Sequence, residues 1–178
     1  MSAALSNDGL LKAVRIIVTI LMAILGVGFV GLAIAMPIIF FSQSHLAEAM
    51  VADAPGSLAV ALSTIIAVLA LGMVLIALAF HFLQLLKRIV GSVGEGDPFI
   101  ADNADRLSRM AWIAIAIEVL KLPLGALALY LVQFFESDAM KIDAQFSLTG
   151  ILLALILFIL ARVFRHGAAL RADLEGTV

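Results

Sequence analysis

The sequence predicts an all-α integral membrane protein, a bundle of four transmembrane helices with both termini cytoplasmic. Three observations carry that expectation. Apolar residues make up 64% of the 178 positions and charged residues only 13%, against just under half and about a quarter in an ordinary soluble domain. Two runs, 16–44 and 58–86, contain no charged side chain. The basic residues gather beside alternate ends of the apolar runs, the asymmetry that sets membrane topology. Cysteine is absent, which excludes a disulfide framework, thiolate metal sites, a thiol nucleophile and covalent c-type haem attachment.

The first span is expected over 16–41. Its flanks carry Lys12 and Arg15, and Ala33-Ile34-Ala35 imitates a small-residue cleavage site. The apolar stretch nonetheless continues through Phe41, beyond the roughly 7–15 residues of a signal-peptide core, so an uncleaved span is expected. The second span is expected over 58–86; each of these runs exceeds the ~20 helical residues that cross a ~30 Å hydrocarbon core. The third, 110–135, is interrupted only by Glu118 and Lys121. The fourth, 146–164, reaches Phe164 if Arg162 snorkels. Helices are expected because an unpaired backbone group in lipid costs several kcal/mol, and the alternation of a membrane strand is missing. The whole chain is expected to form a single membrane domain.

Nine of the eleven basic residues fall on one side: Lys12 and Arg15, then Lys87, Arg88, Arg106 and Arg109 in the 87–109 connection, then Arg162, Arg165 and Arg171. The opposite loops, 42–57 and 136–145, hold Lys141 alone, with Glu48, Asp53, Glu136, Asp138 and Asp143. Because Lys and Arg resist translocation, the termini, the middle connection and the 165–178 tail are expected in the cytoplasm.

In the connection, glycines and Asp97-Pro98 are expected to break the helix arriving from the second span, and Asp102 or Asn103 to cap the next. Trp112 then falls at headgroup depth. Gly96-Asp97-Pro98-Phe99 with Asn103-Ala104-Asp105-Arg106-Leu107, and later Val163-Phe164-Arg165-His166-Gly167 with Leu170-Arg171, carry a resemblance. These two stretches resemble a family of bacterial inner-membrane four-helix proteins catalogued only as a domain of unknown function. Many of its members are similar in being encoded beside a small helix-turn-helix regulator of the Cro/repressor type. The resemblance implies a membrane partner for such a regulator and no established activity.

Phe99, Asn103, Arg106, Arg165 and Arg171 are the expected partner-binding residues. Apolar anchors beside arginines suit an acidic, amphipathic segment. The competing reading is structural: Pro98 and Asn103 stop and restart a helix, while the arginines fix topology and hold anionic headgroups.

Within the spans, Glu118 lies nine residues past Arg109, about 13 Å along a helix. Lys121 shares its face at i, i+3. A charge at that depth costs upward of about 2.5 kcal/mol, so the pair is expected to face the bundle. His81 and Gln84 sit at a comparable distance along the second span, and His81, Glu118 and Lys121 form the candidate intramembrane polar cluster. The alternative is a Glu–Lys pair that only specifies which helices meet. Pro123 and Gly125 follow, where a kink could open a cavity.

Gly26-x-Gly28-x-x-Gly31 spells a dinucleotide fingerprint inside an apolar run with no preceding strand, so a helix-packing seam is expected instead. His45, Glu48 and Asp53 in the first outer loop lack the second histidine of a metal site. One intramembrane histidine excludes a bis-histidine haem within one subunit. No catalytic motif, cofactor or metal set emerges. The expectation is a non-enzymatic membrane regulatory protein that holds a small cytoplasmic transcription regulator in response to an envelope signal. Its partners are the lipid bilayer, that regulator and a second copy of itself, with no direct nucleic-acid binding. The rival is a small oligomeric transporter or proton-coupled channel using the Glu/Lys/His cluster, which four spans alone could not enclose.

Overall fold

The apolar runs become four helices in the computed structural model of the chain: α1 (Ser2–Phe41), α2 (Pro55–Gly94), α3 (Ala101–Phe134) and α4 (Leu148–Glu175). The structure describes residues 2–42, 55–134 and 147–175, with side chains over 9–42, 59–134 and 147–174. The outer-loop positions His45, Glu48, Asp53, Glu136, Asp138, Lys141 and Asp143 lie outside the described residues. Among the described residues there is no strand, and all four helices are long and apolar enough to cross a membrane.

The helices overrun the expected spans at the end where the arginines gather, called here the basic end. α2 continues past Leu86 to Gly94, α3 begins at Ala101, next to the cap expected at Asp102 or Asn103, and α4 runs to Glu175. Within the 87–109 connection only six residues, 95–100, are non-helical, and α4 carries helix into the tail as far as Glu175. Packing explains the overrun. On α2 the extension buries Ile89 and Ser92, and on α3 it buries Asn103, Ala104 and Leu107, so burial outweighs the poor helix propensity of Gly91 and Gly94.

α2 stops at a glycine cap. Gly96 adopts φ +88, the Gly96 amide donates to the Val93 carbonyl at 3.1 Å, and the Asp97 amide donates to the Ser92 carbonyl at 3.1 Å. These are the two bonds of a Schellman motif with Gly96 at the left-handed position, and Pro98 follows where a helix cannot continue. The break thus falls at Glu95-Gly96. α3, in contrast, passes through Pro123, and α1 through Pro37, without interruption.

Neighbouring helices pack in chain order, α1 on α2, α2 on α3 and α3 on α4. The core belongs to the last three. Leu85 and Ile89 of α2, Leu107, Met110, Ala111 and Ile113 of α3, and Leu157 and Ala161 of α4 form one buried cluster. α1 contributes Val18 as its one buried apolar residue among the described side chains. The glycine seam on α1 is only partly used: a methyl group added at Gly28 would meet Ile76 at 3.7 Å, whereas Gly26 and Gly31 face open space.

Candidate functional site

α3 and α4 run antiparallel in a constant register: Asp105 meets Arg165, Trp112 meets Phe158 and Glu118 meets Gly150. Two polar constellations sit on that seam, one within the apolar spans and one at the basic end.

The inner one is built on Glu118, which is 5% exposed. Lys121 Nζ donates to its Oε1 at 2.7 Å, and the backbone amide of Ser147 donates to Oε2 at 3.4 Å. Ser147 precedes α4, and its carbonyl accepts from the amides of Gly150 at 3.0 Å and Ile151 at 3.5 Å. Glu118 therefore lies against the first turn of α4, where unsatisfied amides and the positive end of the helix dipole favour a carboxylate. It acts as an N-terminal cap supplied by another helix. Gly150 makes the approach feasible: a Cβ there would stand 2.1 Å from Glu118 Oε1, 2.4 Å from Cδ and 2.6 Å from Cγ. α3 continues sixteen residues beyond Glu118, to Phe134, so α4 begins partway along the apolar length of its partner.

His81 does not join this constellation. It is exposed, while its α2 neighbours Ala79, Phe82 and Leu83 line an open groove of about 260 Å³ with Glu118 and Gly150. One step of 100° around the helix separates His81 from Phe82, which packs against the core, and that rotation takes it off the α3-facing side. The polar cluster is a Glu118–Lys121 pair plus a helix end, in which each carboxylate oxygen accepts a hydrogen bond. Among the described residues no group of His, Asp and Glu could hold a metal ion.

The constellation at the basic end centres on Asn103, which is 0% exposed. Its Nδ2 donates to Ser92 Oγ at 2.7 Å and to the Pro98 carbonyl at 2.9 Å. Its Oδ1 accepts from Arg106 Nη1 at 2.8 Å, and Ser92 Oγ donates onward to the Ile89 carbonyl at 2.8 Å. Asn103 thus ties α2, the connection and α3 together and is withdrawn from any partner, a correction to its expected binding role. It sits at the third position of α3 rather than capping it, and its Oδ1, the atom a cap would use to accept a backbone amide, accepts from Arg106 instead.

Phe99 fills a second glycine notch on α4. Its ring lies 5.2 Å from that of Phe164, and a Cβ at Gly167 would stand 2.8 Å from Phe99 Cδ1. Even so, Phe99 is 43% exposed. Around it the arginines are paired: Arg106 with Asp102 at 3.2 Å, Arg165 with Asp105 at 3.2 Å, and Arg171 with Asp97. Sequence reasoning identified these arginines and missed their three aspartates. The signal was present, since Asp97, Asp102 and Asp105 stand with Glu95 as the acids of the connection and the start of α3, but which of them α4 meets depends on the interhelical register.

Replacing Asn103 with alanine is expected to cost about 2 kcal/mol, because the Pro98 carbonyl and Arg106 each lose a buried partner. Denaturant titration of the detergent-solubilised protein measures it; a loss below about 0.5 kcal/mol would show that the tie is dispensable.

No curated protein and no solved structure matches the chain. A family described as "Protein of unknown function (DUF2975)" matches residues 72–178. That stretch contains Glu118, Gly150, the Asn103 network, both α4 notches and nearly all of the three-helix core, and it omits α1. With more than half of its length matched, the chain belongs to the DUF2975 family.

Proposed function

We propose that this chain is a non-enzymatic regulatory protein of the cytoplasmic membrane, whose basic end faces the cytoplasm and holds a small helix-turn-helix transcription regulator. The observation that carries this reading is how the arginines are occupied. Arg165 and Arg171 of α4 are latched to Asp105 and Asp97 by ion pairs whose partners are all exposed to solvent. Such pairs contribute about 0–1 kcal/mol each. An acidic segment of a partner can therefore take over the guanidiniums at little cost, with the half-exposed Phe99 as the apolar anchor beside them. Asn103 is the pivot beneath the latch rather than a contact.

Regulation requires only that a signal alter the balance between latched and unlatched states; about 1.4 kcal/mol of differential affinity changes partner occupancy up to tenfold. α4 is the element able to couple the two, because one continuous helix carries both the Glu118 contact at Gly150 and the latch at Arg165 and Arg171.

Affinity capture from membranes, with soluble partners identified by mass spectrometry, tests the reading through two opposed variants. Asp97→Asn with Asp105→Asn releases the arginines and is expected to raise capture of a helix-turn-helix regulator severalfold. Arg165→Ala with Arg171→Ala is expected to abolish it. Capture that is identical in both variants, or that yields no transcription regulator in either, overturns the proposal.

A further inference from the structure

α1 and α2 run antiparallel, with Arg15 beside Gly91 and Leu11 beside Gly94. Between them at the basic end is a cavity of about 290 Å³ whose charged lining is Lys12, Arg15 and Glu95. Both basic residues are exposed, and among the described residues neither forms an ion pair. Among the described side chains, two cations against one carboxylate leave the mouth net positive. Gly91 and Gly94 supply the floor, which larger side chains would fill.

A second cavity of about 370 Å³ lies on the same pair of helices, lined almost entirely by apolar surface from Leu25, Gly26 and Phe29 of α1 and Ile76, Ala77 and Phe80 of α2. Its position is not arbitrary. Leu25, Gly26 and Phe29 each lie 14 residues beyond Leu11, Lys12 and Arg15, and Ile76, Ala77 and Phe80 each lie 14 residues before Val90, Gly91 and Gly94. Fourteen residues are two heptads, so on packed helices both cavities open on one side of the seam. They form two stations of a single crevice, about 21 Å apart. That spacing corresponds to half a bilayer: phosphate level to midplane is about 20 Å, given about 30 Å of hydrocarbon within a total of about 40–45 Å.

We propose that this crevice binds one anionic phospholipid, with its phosphate held by Lys12 and Arg15 and an acyl chain laid along the α1–α2 seam to the hollow beside Gly26. Charge complementarity selects the anionic headgroup, and the apolar second station at acyl-chain distance distinguishes a lipid from a free phosphate ion. Glu95 accepts a hydrogen bond from a headgroup hydroxyl, which favours a glycerol-type headgroup. α1 is then more than a spare span: it completes a lipid site that α2 alone could not form.

The test uses the full chain in nanodiscs and in detergent, with phosphatidylglycerol, phosphatidylcholine and inorganic phosphate as separate probes and native mass spectrometry as the readout. One phosphatidylglycerol per chain is expected to remain bound, at least tenfold preferred over phosphatidylcholine and undisturbed by millimolar phosphate. Lys12→Ala with Arg15→Ala is expected to erase the preference. Gly26→Leu, which fills the hollow, is expected to weaken retention severalfold while leaving the preference intact. Arg162→Ala, a basic-end variant off the crevice, is expected to leave both unchanged. Competition by phosphate alone would show an ion site rather than a lipid site. An equal loss in Arg162→Ala would show diffuse attraction to charge. Either result overturns the proposal, as does unchanged retention in the Lys12/Arg15 variant. Far-UV circular dichroism and a monodisperse elution profile confirm that the variants, all at exposed or open positions, remain folded.

Discussion

Gly150→Ala is expected to destabilise the protein by about 3 kcal/mol, although alanine is the better helix former. The added Cβ would fall within 2.6 Å of three successive atoms of Glu118, Cγ, Cδ and Oε1. Turning the carboxylate alone does not clear it; the side chain must leave. Glu118 would then lose the Ser147 amide and the first turn of α4, and a charge stripped of its compensation inside the bundle costs about 3–5 kcal/mol. The background decides whether this cause is right. In Glu118→Ala the obstruction is gone, and Gly150→Ala should become neutral or stabilising by up to about 1 kcal/mol, the propensity difference between glycine and alanine. Denaturant or thermal titration of the four proteins of the cycle measures the change of sign. If Gly150→Ala costs the same with and without Glu118, the notch is not what holds α4.

The same contact shows where sequence reading stops. Charge-free runs and the clustering of arginines sufficed to specify four helices, because a bilayer imposes length and apolarity one segment at a time. The burial of Glu118 and its i, i+3 pairing with Lys121 followed from helix geometry and from the cost of an uncompensated charge among apolar residues. What could not be read were relations between helices. Gly150 and Gly167 look like ordinary glycines until α4 is set against α3, when each proves to be the space occupied by Glu118 or Phe99. His81 illustrates the converse: its distance along α2 suited a polar cluster, but its angle around the helix did not. Asn103 was noticed as a helix restart and as a contact, yet its burial depends on Ser92, eleven residues earlier, which the sequence separates from it by a glycine cap and a proline. The continuation of α4 to Glu175 was missed for a related reason, since Gly167 and the charges lower propensity locally while the packing of Leu157, Ala161 and Phe164 anchors the helix from a distance.

The ion pair itself should prove asymmetric. In Glu118 the side chain is 7% exposed and in Lys121 44%, so the two ends of the bond do not have equal alternatives. Lys121→Met leaves a buried carboxylate with the Ser147 amide at 3.4 Å and the α4 helix end as its remaining compensation, and a loss of about 3 kcal/mol is expected. Glu118→Gln removes the opposite charge, but the ammonium on its long stem can rotate toward the surface and the amide oxygen can still accept from Ser147, so about 1 kcal/mol is expected. Combining them should recover most of the Lys121→Met loss, since a neutral glutamine beside methionine carries no charge that needs a partner. The order Lys121→Met worse than the double variant, and worse than Glu118→Gln, is the discriminating result in the same denaturant titration. Equal losses for the two single variants would mean that the interaction energy resides in the bond itself. The asymmetric order would mean that Glu118 is retained by the end of α4, with Lys121 supplying the countercharge that offsets its burial.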